Sequence, residues 1–155
     1  MNNSHNVHGT GLVLGETGVL LRGPSGAGKS VLSMALLDRW EGRGQQALLV
    51  ADDRVDLRDD GESLTMLAPP RLAGLIELRG RGIVERPHVQ SARLDLVIDL
   101  VPELIRLVEE EELQIELFGH VLARAPVPQV GVVSLGHQEL LVVEAVRASL
   151  VHTKT

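Results

Sequence analysis

The residues with the plainest chemistry lie in the run Gly23-Pro24-Ser25-Gly26-Ala27-Gly28-Lys29-Ser30, which fits the phosphate-loop pattern G-x-x-x-x-G-K-[ST]. Glycines at 23, 26 and 28 let the backbone curl without Cβ clashes, so that successive N–H groups turn inward toward phosphate oxygens. Lys29 adds a mobile positive charge for β- and γ-phosphates, and the Ser30 hydroxyl suits a magnesium ion travelling with a nucleotide. All eight positions are therefore candidates for holding a nucleotide such as ATP. Only two lysines occur in the chain, Lys29 and Lys154. A lysine at this position is not the by-product of a lysine-rich surface.

Carboxylates follow at Asp52-Asp53, directly after the apolar run Ala47–Ala51. A strand whose C-terminal end delivers acids beside a phosphate loop is where an α/β sheet places its active site. Such a pair also resists full ionisation, so one member is expected to hold its proton more tightly. Further on, Glu77-Leu-Arg79-Gly80-Arg81-Gly82 puts two arginines and a glutamate beside closely spaced glycines, a composition expected of a loop that approaches a ligand. The run Leu96-Val-Ile-Asp99 has the look of a strand ending on a metal-reaching aspartate, as in ordinary P-loop ATPases and GTPases.

These groups need elements to hold them. The apolar residues 19–21 predict a buried strand ahead of the loop, and apolar residues at 32, 35, 36 and 40 predict a helix over Val31–Trp40 behind it. Residues 7–15 read as one short strand, joined through a turn at 16–18 to form a hairpin that leads into the loop. Strands are expected at 47–51, 54–58, 63–68 and 94–101, and a turn at Asp59-Asp60-Gly61. Residues 103–113 predict a helix with an apolar stripe at 104, 107 and 108 and a solvated glutamate face. After residue 115 the pattern is of strands and turns, closed by a helix over 139–151.

The chain has 155 residues, which is most simply one domain spanning 1–155, and 44% of them are hydrophobic. No run is long enough to span a membrane, and the first residues lack the basic and apolar parts of a signal peptide, so a cytoplasmic location is expected. Absence of cysteine excludes disulfides and thiolate chemistry. A formal net charge of −6, with acids clustered at 52–60 and 109–112, argues against a nucleic-acid surface. Trp40 and Phe118 are the only aromatic residues besides histidine, too few for stacking on single strands. His88, His120, His137 and His152 show no metal-ligand spacing and are expected at the surface.

Taken together, His8-Gly9, the loop at 23–30, Val50-Ala-Asp52-Asp53 and Glu77-x-Arg79-Gly80-x-Gly82-Ile83 resemble the HPr kinase/phosphorylases, specifically their catalytic C-terminal domain. The resemblance covers most of the chain and weakens after about residue 115. It implies a P-loop-containing mixed α/β sheet flanked by helices, of a type related to PEP carboxykinase. It further implies an ATP- and Mg²⁺-dependent serine kinase acting on an HPr-like phosphocarrier of a phosphotransferase system, in a family that also runs the reverse phosphorolysis and forms hexamers.

Carried over residue by residue, Lys29 holds the β- and γ-phosphates, while Ser30 and Glu77 serve the metal. Asp52 takes the proton from the attacking serine, with Asp53 able to share or exchange that part. His8 matches the family's active-site histidine, Arg79 belongs to the signature segment, and Arg106 resembles a later active-site arginine. Pro24 stands where the family usually has an acidic residue, and the motif that the family links to dephosphorylation is not recognisable near 132–138. A second class stays open beside this one: a nucleotide-driven switch or sensor in which Asp99 is the metal partner and Asp52-Asp53 are incidental.

Overall fold

The computed structural model describes residues 3–153. Twelve strands and two helices form three layers. The middle layer is a six-stranded sheet in the order β11-β12-β10-β3-β2-β4. Its members are β2 (Thr10–Leu14), β3 (Thr17–Arg22), β4 (Ala47–Ala51), β10 (Leu96–Val101), β11 (Gln114–Leu117) and β12 (His120–Pro128). Pairing of β3 with β10 and of β10 with β12 is parallel, while β2 runs against both β3 and β4 and β11 runs against β12. The sheet is mixed, as expected. Strands β3, β4, β10 and β12 all end on the same edge.

Alternation along the strands divides the apolar side chains between two cores. Val19, Leu21, Leu96, Ile98 and Val127 face α1 (Lys29–Gly42) and α2 (Leu135–Thr153), packing with Leu32, Leu36, Val142 and Val146. Leu20, Val50 and Val97 face the other way, onto a four-stranded antiparallel sheet ordered β1-β5-β6-β9. That sheet comprises β1 (Ser4–His8), β5 (Arg54–Asp59), β6 (Leu64–Leu67) and β9 (Ser91–Arg93). The expectation of a sheet flanked by helices is thus met on one face only. The charged alternation of 54–59 leaves Val55 and Leu57 on a single apolar side, which suits a sheet rather than a helix as the cover.

Two further expectations are corrected. Residues 7–15 are not one strand: the chain changes sheets at Gly9, where β1 ends and β2 begins. A Cβ at Gly9 would stand 2.7 Å from the Leu21 carbonyl oxygen, so this corner requires glycine. The helix over 103–113 does not form beyond a single 3₁₀ turn at Glu110–Leu113. Both helices already occupy the apolar face of the sheet, so Leu104 and Leu107 remain 52% and 82% exposed and offer no packing to support another. Consecutive glutamates at 109–112 repel one another along a helix as well.

The remaining strands, β7 (Leu75–Leu78) and β8 (Gly82–Glu85), form a separate hairpin turning at 79–81. It docks through Ile76, which is buried in the helix-side core.

Candidate active site

The site lies where chain segments leave the common edge of the middle sheet. At the end of β3, Gly23 starts the phosphate loop, and its absent Cβ makes room for Leu100 of β10, whose Cβ would stand 2.9 Å away. Gly26 and Gly28 have φ of 85° and 95°, the left-handed conformation that glycine adopts without strain. Gly28 is the residue from which α1 starts, so the helix opens at Lys29 itself, two residues earlier than the periodicity indicated. The N–H groups of the first turn therefore face the loop, as in anion sites at helix N-termini. Lys29 is largely buried, and its Nζ donates to the Gly23 carbonyl at 2.7 Å and the Pro24 carbonyl at 3.3 Å. Burial lowers the Lys29 pKa, against the opposing charges of Asp53 and Asp52.

Both acids sit on the corner where β4 passes into β5, and this corner lies against the Gly9 corner. The Gly9 N–H donates to the Asp53 carbonyl at 2.9 Å. Two changes of sheet thus occur side by side, which brings His8 and Asp53 into one hydrogen bond of 2.7 Å between Nε2 and Oδ1. Asp53 has φ of 69°, and the Arg54 N–H donates across it to the Asp52 carbonyl at 2.8 Å. This is the rarer γ-turn, a strained conformation of the kind concentrated at functional sites.

Asp52 is held differently. Its Oδ1 accepts from the Thr10 hydroxyl at 3.0 Å and its Oδ2 from the Glu77 N–H at 3.2 Å. Burial raises its pKa, the two hydrogen bonds oppose the rise, and the neighbouring Asp53 charge adds to it. Asp52 thus has raised proton affinity, with burial rather than the Asp53 charge as the main cause. Through Glu77 the same carboxylate also pins the β7–β8 hairpin, whose Glu77 points away from the buried Ile76.

Eight of the predicted side chains, His8, Ser25, Lys29, Ser30, Asp52, Asp53, Glu77 and Arg79, share the wall of one cavity of about 470 Å³ with the backbone of Gly26 and Gly28. That volume lies within the range of small-ligand sites. Gly23, Pro24 and Ala27 do not line the cavity; the carbonyls of Gly23 and Pro24 accept from Lys29. Arg106 is not brought into the cavity: it is exposed on the segment after β10, although that segment leaves the same sheet edge.

The donor set fits a magnesium nucleotide. A lysine, a hydroxyl, a helix N-terminus and one or two carboxylates are the groups that such a ligand requires, since magnesium keeps several waters and takes few protein ligands. No group of three or more acidic or histidine side chains able to hold a metal by itself occurs among the described residues.

Asp99 has another occupation. Its carboxylate receives Arg22 Nε at 2.8 Å and Nη2 at 3.0 Å, and Arg124 Nε at 2.7 Å. Burial would raise its pKa, but the hydrogen bonds and charges of Arg22 and Arg124 outweigh it and hold the group below the ordinary range. Arg22 immediately precedes the phosphate loop, so the clasp ties the residue that leads into the loop to β10.

Sequence reasoning missed Thr10, the Arg22–Asp99–Arg124 clasp and Val130, whose Cβ would stand 3.0 Å from a side chain at Gly28. Thr10 carried a signal, a lone hydroxyl in an apolar strand one residue beyond His8-Gly9. His120 was expected at the surface, yet it is 16% exposed and bonded to Asp59 at 2.9 Å. His152 lies outside the residues whose side chains are described.

Fold and site together define a mixed α/β domain built around an anion-cradling loop at the mouth of a helix. The chain belongs to the family of the HPr serine kinase C-terminal domain, whose model matches residues 1–154. Among curated relatives, the HPr kinase/phosphorylase of Lacticaseibacillus casei (strain BL23) is 36% identical over 102 residues, covering 63% of this chain and 30% of its own length. That of Neisseria meningitidis serogroup C is 34% identical over 113 residues, covering 70% of this chain and 33% of its own length. The chain thus spans about a third of the curated relatives it matches. Among solved structures, the HPr(Ser) kinase/phosphatase from Coxiella burnetii superposes with a TM-score of 0.78 at 27% identity, covering 97% of this chain and 93% of that one. No helix among the described residues is long and apolar enough to cross a membrane.

Proposed function

We propose that this chain is a single catalytic domain that transfers the γ-phosphoryl group of ATP to a serine of an HPr-like phosphocarrier protein in the cytoplasm. The observation that carries the reading is the convergence of Lys29 and Ser30, Asp52 and Asp53, and Glu77 and Arg79 on one cavity, with His8 at its mouth. Names of the relatives support the choice of partner.

In the proposed reaction the loop N–H groups and Lys29 hold the β- and γ-phosphates in place. Asp52 accepts the proton of the serine hydroxyl as the serine oxygen bonds to the γ-phosphorus and the bond from that phosphorus to the β-bridging oxygen breaks, releasing ADP. Burial suits Asp52 to this part, because a base with raised proton affinity takes a hydroxyl proton more readily. The His8–Asp53 pair steadies the corner beside it. Ser30 and Glu77 would hold Mg²⁺, which would supply neutralisation of the phosphate charge. Arg79 would counter charge on the migrating group. Arg106, exposed and outside the cavity, has no part in the reaction as proposed. In reverse, an oxygen of inorganic phosphate bonds to the phosphoserine phosphorus as the bond to the serine oxygen breaks, Asp52 returns the proton to that oxygen, and pyrophosphate leaves.

The test is incubation of the protein with γ-labelled ATP, Mg²⁺ and the HPr-like protein of the same organism, followed by identification of the modified residue by mass spectrometry. Phosphoserine is the expected product. Tight ATP binding with no label on that protein would instead favour a nucleotide sensor.

A further inference from the structure

A second cavity, also of about 470 Å³, lies at the other end of α1 from the phosphate loop. Lys29 and Trp40 are eleven residues apart, about 16 Å along the helix axis. The floor is apolar, made by Leu14, Trp40, Val143 and Val146 from the β2–β3 hairpin, α1 and α2. Its rim carries Arg39, Arg43 and Arg147 beside Glu16, with Glu139 and Glu144 of α2 approaching Arg39 and Arg147.

These arginines are weakly satisfied. Arg39 reaches Glu139 only at 3.9 Å, and its Nε is buried without a hydrogen-bond partner. Arg147 pairs with Glu144 at 3.5 Å, an exposed contact that solvent screens. Arg43 is exposed and makes no ion pair among the described residues. Gln45 and Gln46 add neutral hydrogen-bonding groups to the rim. An apolar floor that includes the Trp40 indole, next to guanidinium groups and amides, selects one chemistry: an apolar or aromatic body bearing a carboxylate, sulfonate or phosphate.

We propose that this cavity is a second ligand site, for a small organic anion with a flat apolar body, separate from the nucleotide site. Trp40 is the only tryptophan, so its indole N–H gives a single reporter resonance in the ¹⁵N-labelled protein. Two anions, indole-3-acetate and naphthalene-2-sulfonate, are titrated beside their neutral counterparts, indole-3-acetamide and naphthalene-2-sulfonamide. The expected result is a saturable one-to-one shift of the Trp40 indole signal, with at least one anion binding tenfold more tightly than its neutral counterpart. That preference should fall to within about threefold in the Arg43→Glu, Arg147→Glu double variant, or in Arg43→Gln alone should the double variant misfold. The proposal is overturned if neither anion shifts the signal saturably, if the neutral compounds bind as well, or if the preference survives the charge changes.

Discussion

Asp52 follows the end of β4 and Asp99 lies in β10 of the same sheet, and each looks in the sequence like an acid that could serve a nucleotide. Their surroundings separate them. Asp52 takes its hydrogen bonds from neutral donors, the Thr10 hydroxyl and the Glu77 N–H, and burial leaves it with raised proton affinity. Asp99 takes its bonds from two guanidinium groups, which hold it ionised and occupy both oxygens. The difference teaches that an acid poised to exchange a proton is buried without full charge compensation, whereas a structural acid is compensated by permanent cations. A switch that needs Asp99 on its metal would first have to dissolve this clasp. The kinase reading needs no such change.

Breaking each acid should therefore break a different property. The largest effect is expected for Asp52→Asn, which keeps the shape but removes the base: phosphoryl transfer should fall by roughly 10² to 10⁴, while ATP affinity measured by calorimetry stays nearly unchanged. Next comes Asp99→Asn, which leaves Arg22 partly buried without its counter-charge and Arg124 with Glu112 alone. A loss of about 3 kcal/mol is expected from removing one partner of such a network, read as a melting temperature lowered by roughly 6 to 12 °C, with transfer at a permissive temperature retained. The deficit should also depend on pH. Because the folded-state pKa of Asp99 is depressed, its stabilisation is present above the pKa of an unfolded aspartate and is lost as pH falls through the folded value. The variant and the parent should accordingly converge in stability under acid conditions.

A smaller effect sharpens the same contrast. Asp52 must be ionised to act as base, so transfer should decline on the acid side at a pH above the ordinary aspartate range. Thr10→Val removes a hydrogen bond that lowers this pKa, so it should move the acid limb of kcat/KM to still higher pH, and Thr10→Ser should restore it. A pH profile that Thr10→Val leaves in place would show that the acid limb belongs to another group. The smallest effect is expected for Arg106→Ala, exposed and outside the cavity, with transfer rates within about threefold of the parent.

Much of the site was legible because local chemistry dictates it. Glycines at 26 and 28 announce positive φ, and the apolar runs before Arg22 and Asp52 announce strands that end together. What escaped depends on contacts distant in sequence. That residues 7–15 belong to two sheets follows from the close approach of Leu21 to Gly9, which periodicity does not encode. The pairing of His8 with Asp53 follows from two corners that meet only after both sheets have formed. Residues 103–113 show the converse failure, since a correct helical stripe finds no surface left to cover. Asp99 resembled a metal-reaching acid because Arg22 and Arg124 lie 77 and 25 residues away from it.

The central claim is that chemistry rests on Asp52 and architecture on Asp99. Its most direct test is transfer of labelled phosphate from ATP, with Mg²⁺, to the HPr-like protein by the parent, Asp52→Asn and Asp99→Asn proteins at one permissive temperature. The expected result is phosphoserine from the parent and Asp99→Asn proteins and none above background from Asp52→Asn, with ATP bound by all three. Undiminished transfer by Asp52→Asn, or turnover lost only in a fully folded Asp99→Asn protein, would contradict the assignment and move the chemistry to the other acid.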